Sequence, residues 1–271
     1  MNKTLLTAAM LLAAVCALRG DTIRIDGSTT VGPIVKAFAE KWAEEKNGTD
    51  AVVSESGSGN GAKSLVNGAC DIAMLSRPLK KGEFKAAADK GIEPVPHAVA
   101  FDAIVPIVHP SNPVANLTLA QLKSIYGGQV TNWKALGGPD RKIVVVSRDA
   151  NSGTFECFSE LVMHKAPVAP SAETCGSNGA VRQRIETTPG AIGFVGIGYL
   201  DRTVKGLRVD GVEPTPAEVT AGRFPLSRPL FIYTAGYPKI GTPLFRFANL
   251  HLTRKGAEII EALGFVPVTE Y

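Results

Sequence analysis

A short apolar strand followed by a polar turn and a helix occurs twice in the first seventy residues and begins a third time. The strands are Thr22–Ile25, Ala51–Val53 and Ile72–Leu75, and the helices are 31–45 and 62–66. Neighbouring strands joined by helices run parallel, because a parallel pair needs a long crossover connection. This alternation predicts an α/β protein with a parallel sheet and helices on its faces.

Two long apolar segments interrupt the alternation. Residues 98–108 are almost continuously apolar, and residues 229–233 form a second such run. We expect each to cross between two lobes, with residues 21–104 and 229–271 in one lobe and residues 105–228 in the other. Two crossings of this kind predict a cleft between the lobes.

The remaining patterns predict further elements in both lobes. The second lobe is expected to contain a strand at 143–146 that leads through a polar turn into a helix at 155–163. A single closing helix is expected over 243–263. Trp42 and Trp133 are expected to be packing residues.

The first twenty residues have the layout of a secretory signal peptide. Lys3 precedes an apolar run from Leu5 to Val15, which ends in small residues. The run is shorter than the ~20 residues that cross a bilayer, so a membrane anchor is less favoured. Lipid attachment at Cys16 is also less favoured, because Val15 stands where a small residue is expected. The mature chain is therefore predicted to be exported to the periplasm.

Composition excludes several classes of protein. The chain has 271 residues, of which 45% are hydrophobic and 20% charged, so it is not a disordered protein. Its 29 Lys and Arg against 25 Asp and Glu give a net charge of +4, too small for a nucleic-acid-binding surface. No nucleic-acid partner is expected, and any recognition of negative charge must be local.

Three cysteines remain once the leader is removed: Cys70, Cys157 and Cys175. An oxidising compartment predicts one disulfide, and the pair that flanks a short segment is Cys157 and Cys175. Closing that loop would contribute ~3 kcal/mol. The four histidines lack metal-ligand spacing, so neither a metal nor another cofactor is predicted.

Four polar turns share one chemical character and form the candidate site. Three of them lie between a strand and the following helix, where free backbone N–H groups and the positive end of the helix dipole favour an anion. Hydroxyl groups donate further hydrogen bonds, and arginine offers two parallel N–H groups to an oxyanion. Together they predict a site for a dehydrated tetrahedral anion. The candidate residues are Ser28, Thr29, Thr30, Ser58, Ser76, Arg77, Arg148, Ser152, Gly153 and Thr154.

Three alternatives apply to these turns. A Ser or Thr before a helix is commonly an N-cap that needs no ligand. A nucleotide site is disfavoured, because Gly57, Gly59 and Gly61 lack the GxGxxG spacing. Ser152 or Thr29 could serve as the nucleophile of a phosphoesterase, although no histidine stands near Ser152 in sequence.

At these turns the chain resembles the periplasmic phosphate-binding proteins of ABC phosphate importers, the PstS type. The resemblance covers nearly the whole mature chain, and its most specific motif is Arg148-Asp149-Ala150-Asn151-Ser152-Gly153-Thr154. It implies a type II periplasmic-binding-protein fold, in which two α/β lobes close over inorganic phosphate by a hinge. It also implies a non-enzymatic receptor, expected to be monomeric, that delivers phosphate to the permease subunits.

By position, the resemblance implies that the first-lobe turns and the Arg148 motif hold phosphate, and that Asp149 braces Arg148. One departure concerns Arg77, because better-known members carry an aspartate there that accepts the proton of phosphate. A second cation would then face the ligand, and the proton of phosphate would have no carboxylate acceptor unless Asp71, Glu55 or Asp149 supplies it. Phosphate is still favoured, and a general oxyanion receptor of the sulfate type, a secreted phosphoesterase, and a sensory or adhesive module remain alternatives.

Overall fold

A computed structural model of the protein describes residues 22–46 and 48–270. The predicted leader at residues 1–20, including Cys16, lies outside the described residues. The strands are β1 (Ile23–Gly27), β2 (Ala51–Ser54), β3 (Ile72–Leu75), β4 (Pro94–Val108), β5 (Asn116–Leu117), β6 (Val144–Arg148), β7 (Glu173–Cys175), β8 (Ala191–Gly196), β9 (Lys205–Gly206), β10 (Arg208–Val209), β11 (Ser227–Ala235) and β12 (Val266–Pro267). The α-helices are α1 (Gly32–Glu44), α2 (Ser58–Val66), α3 (Lys81–Ala88), α4 (Leu119–Tyr126), α5 (Gly153–Leu161), α6 (Asn178–Glu186), α7 (Pro216–Thr220), α8 (Pro243–Ala248) and α9 (Arg254–Ala262).

The main sheet has the strand order β2-β1-β3-β11-β4-β8-β6-β7. Strands β1, β2 and β3 are parallel, as are β6, β7 and β8, whereas β4 and β11 run antiparallel to their neighbours. We call β2, β1, β3 and β11 the first half-sheet, and β8, β6 and β7 the second half-sheet. The α/β class predicted from the strand–helix alternation is confirmed.

Strand β4 belongs to both half-sheets. Its segment from Pro94 to Ala103 pairs with β11, and its segment from Ile104 to Val108 pairs with β8. Both segments are antiparallel to their partners, so the strand passes from one half-sheet to the other without a break. In this register Asp102 of β4 lies opposite Arg228 of β11.

The predicted single closing helix is wrong, because the chain forms α8, a short 3₁₀ segment (Leu250–Leu252) and α9 instead. Thr253 is the N-cap of α9, and its hydroxyl accepts a hydrogen bond from the Gly256 N–H at 3.0 Å. A side chain at position 256 would lie 2.0 Å from the Leu250 carbonyl oxygen, so the two helical segments approach closely at this glycine. An N-cap in the middle of the predicted helix therefore starts a new one.

The core is built from aromatic and branched side chains on both half-sheets. In the second, Phe158 stacks on Phe194 with ring centroids 4.2 Å apart, and Tyr126 packs 4.6 Å from Phe158. Trp42 and Trp133 are both buried, which confirms that they are packing residues. These contacts fix the helices on the faces of the sheet.

The predicted disulfide between Cys157 and Cys175 is not formed, since both are free thiols, as is Cys70. The Cys157 thiol lies instead against the Ser76 carbonyl oxygen at 3.6 Å, on the opposite half-sheet. Burial raises the pKa of the Cys70 thiol to about 12, which makes it an inert core side chain.

No helix within residues 22–46 and 48–270 has both the length and the apolar composition needed to cross a membrane. The same residues contain no cluster of three or more His, Cys, Asp or Glu side chains arranged to hold a metal ion.

Replacing Phe158 by alanine should lower the free energy of unfolding by ~3–5 kcal/mol, because it leaves a cavity between two aromatic rings. The matched control is Phe84→Ala, since Phe84 is 40% exposed on α3 and should change stability little. Urea denaturation followed by circular dichroism measures both. Equal effects for the two variants would contradict this description of the core.

Candidate anion site

The carboxyl ends of the parallel strands in the two half-sheets face each other across a narrow gap. The hydroxyl oxygens of Thr30, which follows β1, and Thr154, on α5, are 2.9 Å apart. The Gly59 N–H on α2 donates to the Asn151 carbonyl oxygen at 3.0 Å. We call the polar residues in this gap the polar cluster: Thr29, Thr30, Ser58, Ser76, Arg148, Gly153, Thr154, Asn178 and Arg228.

One end of the polar cluster is formed by Ser58, Ser76 and Gly153. The Ser58 and Ser76 hydroxyl oxygens are 3.2 Å apart, and the Ser76 N–H donates to the Ser58 hydroxyl at 3.1 Å. A side chain at Gly153 would lie 2.4 Å from the Ser58 hydroxyl and 2.7 Å from that of Ser76. Glycine is therefore required here, because it lets the N-terminus of α5 approach both serines.

Arg148 is one of the two arginines of the polar cluster and is 4% exposed. Its Nε and Nη2 donate to the carbonyl oxygens of Cys175 and Gly176, and Nη2 also donates to the Thr29 hydroxyl at 3.3 Å. Its Nη1 is buried and has no hydrogen-bond partner among the described residues. Burial lowers the pKa of Arg148, but an arginine remains charged at neutral pH.

Asn178 and Arg228 are members of the polar cluster that the sequence analysis missed. The Asn178 amide nitrogen donates to the hydroxyls of Thr29 at 3.1 Å and Thr30 at 2.9 Å. Arg228 Nη2 donates to the Thr154 hydroxyl at 2.9 Å, and Nη1 donates to the Ser76 carbonyl oxygen at 3.1 Å. Arg228 thus touches groups on both half-sheets.

Asp102 holds Arg228 in place through a buried ion pair. Its Oδ2 accepts from Arg228 Nε at 3.0 Å and from Nη2 at 2.8 Å, while its Oδ1 accepts from the Ile197 N–H at 2.9 Å. Burial raises the pKa of the Asp102 carboxyl, and the Arg228 guanidinium opposes that rise. A charged residue inside the apolar run 98–108 was the signal in the sequence that could have revealed this pair.

Ser28 and Ser152 hold the backbone of the turns. The Ser28 hydroxyl accepts from the Thr30 N–H at 3.1 Å, and the Ser152 hydroxyl accepts from the Phe155 N–H at 3.2 Å as the N-cap of α5. Their hydroxyls therefore order the chain beside the polar cluster, as N-caps do.

The prediction that Arg77 faces the ligand is corrected. Its Nη1 and Nη2 each lie 2.8 Å from a Glu83 carboxylate oxygen, and its Nε lies 2.8 Å from Glu156 Oε2. Helix α3 begins at Lys81, three residues after Pro78, and Glu83 in its first turn reaches back to Arg77. Arg77 is thus neutralised by two carboxylates outside the polar cluster.

The carboxylates proposed to replace the missing aspartate also lie elsewhere. Asp71 pairs with Arg24 at 2.9 Å, and Glu55 pairs with Lys36 at 2.5 Å. Asp149 accepts from the Asn151 N–H at 2.8 Å and does not form the expected ion pair with Arg148. Among the described residues, no carboxylate pairs with Arg148.

The polar cluster is therefore a buried group of hydrogen-bond donors that includes one arginine, Arg148, with no ion-pair partner among the described residues. The N–H groups of Gly153 and Thr154 at the first two positions of α5 are not needed by the helix and add two donors. A buried charge is stable when an opposite charge and hydrogen bonds compensate it. This arrangement suits a small anion that accepts hydrogen bonds from several directions.

Comparisons with known proteins agree with this geometry. Residues 16–247 match the family model of the PBP superfamily domain. The chain is 32% identical to the phosphate-binding protein PstS of Bacillus subtilis, over 98% of this chain and 93% of that protein, and 30% identical to PstS of Borreliella burgdorferi, over 91% and 90%. A putative phosphate ABC transporter substrate-binding protein from Clostridium perfringens, solved with bound phosphate, is 35% identical and superposes with a TM-score of 0.84, over 92% of this chain and 100% of that chain. The chain belongs to the PBP superfamily and, within it, to the PstS-type phosphate-binding proteins.

Proposed function

We propose that this protein captures inorganic phosphate in the polar cluster and delivers it to the permease of an ABC transporter. The observation that carries the proposal is Arg148, a buried guanidinium that has no carboxylate partner among the described residues and whose Nη1 has no acceptor. An anion at Nη1 compensates this charge. The relatives named above are phosphate-binding proteins, and the Clostridium perfringens structure holds phosphate.

The two serines explain how the proton of phosphate could be accommodated without a carboxylate. Ser58 and Ser76 receive no hydrogen bond from a side-chain amide or guanidinium group among the described residues. A hydroxyl has two lone pairs, so either serine can accept the proton of a phosphate P–OH group. Sulfate has no such proton, but a serine hydroxyl can also donate to a sulfate oxygen, so the expected preference for phosphate rests on the relatives named above, which are phosphate-binding proteins.

The proposed mechanism includes closure of two lobes, formed by residues 21–104 with 229–271 and by residues 105–228. Strands β4 and β11 serve as the hinge. Closure is supported by ion pairs across the gap, where Glu156 of α5 lies 2.8 Å from Arg77 Nε and 2.6 Å from Lys80 Nζ. Binding shifts the population towards this closed form, which the permease recognises.

A receptor fits the polar cluster better than a phosphoesterase does. The Ser152 hydroxyl is used as an N-cap, and within residues 22–46 and 48–270 no histidine contacts Ser152 or Thr29. A hydroxyl nucleophile needs a base within hydrogen-bond reach. We further propose that the protein acts as a periplasmic monomer after removal of residues 1–20, with no cofactor.

Calorimetric titration of the phosphate-stripped mature protein tests the function directly. We expect phosphate to bind with a Kd of ~1 µM or tighter, which corresponds to about −8 kcal/mol, and sulfate to bind at least tenfold more weakly. The titrations are done at pH 6 and pH 8. Comparable sulfate binding would indicate a general oxyanion receptor, and absence of heat with both anions would refute the proposal.

Arg148→Gln should weaken phosphate binding by ~2–5 kcal/mol, because the closed cleft leaves the anion without its buried cation. The matched control is Arg223→Gln, since Arg223 is an exposed arginine paired with Glu218 and lies outside the polar cluster. Calorimetry at pH 7 measures both variants. A loss below about 0.5 kcal/mol in Arg148→Gln would remove Arg148 from the site.

Glu156→Gln should speed the release of phosphate roughly three- to tenfold, because it removes two ion pairs that hold the gap closed. Glu160→Gln is the control, since Glu160 is one turn further along α5 and pairs only with exposed Lys165 among the described residues. Stopped-flow displacement of bound phosphate gives the release rate. Identical rates for the two variants would contradict closure through Glu156.

A further inference from the structure

The orientation of the Asn178 amide is determined by its contacts. The side chain is completely buried, and its Oδ1 accepts from the Gly196 backbone N–H at 3.3 Å. A backbone N–H is only a donor, so the oxygen must face Gly196 and the NH₂ group must face Thr29 and Thr30. Asn178 therefore donates to both threonine hydroxyls.

Arg228 donates a hydrogen bond to the hydroxyl of Thr154, as Asn178 does to Thr29 and Thr30. Its Nη2 donates to the Thr154 hydroxyl, and a guanidinium has no acceptor atom, so the direction of this hydrogen bond is certain. Asp102 accepts hydrogen bonds from Nε and Nη2 of the same guanidinium, and these bonds hold the guanidinium in the orientation that contacts Thr154. Thr29 receives a second such donor from Arg148 Nη2.

These donors determine where the threonine protons point. A hydroxyl has one O–H and two lone pairs, and both lone pairs of Thr29 are taken by Asn178 and Arg148. Its O–H is therefore left to donate. Thr30 and Thr154 each accept from a fixed donor and share one proton between them, which leaves one further O–H for a ligand.

We propose that Asn178 and Arg228 are positioning residues that set the specificity of the site by making the Thr29 hydroxyl and one hydroxyl of the Thr30–Thr154 pair donate to the ligand. The threonine side of the polar cluster then binds only unprotonated oxygen atoms. This inference rests on the proposed function.

The test compares two substitutions at position 178. Asn178→Asp keeps the shape but replaces the donor by an acceptor, so the threonine protons turn towards the introduced carboxylate and away from the anion. Asn178→Ala removes the donor and leaves the hydroxyls free to rotate. Phosphate affinity is measured by calorimetry at pH 5.5 and pH 8, after circular dichroism has shown that both variants are folded.

We expect Asn178→Ala to bind ~10-fold more weakly than wild type at both pH values. Asn178→Asp should be ~100-fold weaker than wild type at pH 8, and should approach Asn178→Ala at pH 5.5, since a buried aspartate takes up a proton readily. The ionisable groups around this position are Arg148, Arg228, Asp102 and Tyr199. The affinity of each variant is divided by the wild-type affinity at the same pH. This ratio removes the effect that titration of these groups and of phosphate has on all three proteins.

Equal losses for the two variants at both pH values would overturn the inference, because a structural role predicts no difference between them. Asn112→Asp is the matched control, since Asn112 is also buried but contacts Val114, outside the polar cluster, and its phosphate affinity should equal that of wild type. If wild type fails to bind phosphate, the proposed function fails, and the same comparison is made with sulfate as the probe.

If Asn178→Asp does not fold, the same question is asked at Arg228. Arg228→Lys retains a donor and the charge pair with Asp102, whereas the double variant Arg228→Met/Asp102→Leu removes both charges without leaving one unpaired. We expect phosphate affinity at least tenfold lower in the double variant than in Arg228→Lys. Equal affinities would overturn the inference.

Discussion

The ion pair between Asp102 and Arg228 is the interaction on which the rest of the site depends. It joins β4 to β11 at the register position where β4 leaves the first half-sheet, and both side chains are buried. Through Arg228 it holds the Ser76 carbonyl and the Thr154 hydroxyl, and through Asp102 it holds the Ile197 N–H. Removing one partner of a buried ion pair destabilises a protein by ~3–5 kcal/mol, because the other charge is left buried and unpaired. A shift in the register of β4 and β11 would separate the two partners, so the ion pair fixes this register.

Three buried arginines in the same region have different roles because their partners differ. Arg77 is neutralised by Glu83 and Glu156, and Arg228 by Asp102. Arg148 is bound by carbonyl and hydroxyl oxygens, so its positive charge remains available. The charge available to a ligand is therefore decided by the carboxylates around each arginine, and this is why Arg148 is the anion-binding cation.

The sequence predicted the fold class and most of the turns because both depend on local patterns. Strand–helix alternation indicated the parallel strands, and the turn before α5 carried its own N-cap and glycine, Ser152 and Gly153. The role of Arg77 was not predicted, although its partner Glu83 is only six positions along the chain, because its second partner, Glu156, is distant in sequence and reaches Arg77 only across the gap. Asn178 was missed for the same reason, since its contacts with Thr29 and Thr30 join residues almost 150 positions apart.

The most direct test of the account is a crystal structure of the mature protein grown with phosphate. The account predicts one phosphate between the half-sheets, with oxygens within hydrogen-bond distance of Arg148 Nη1, the Thr29 hydroxyl and the N–H groups of Gly153 and Thr154. Arg228 should remain on Asp102, and Arg77 on Glu83. A phosphate bound to Arg77, or one that leaves Arg148 Nη1 without a partner, would contradict it.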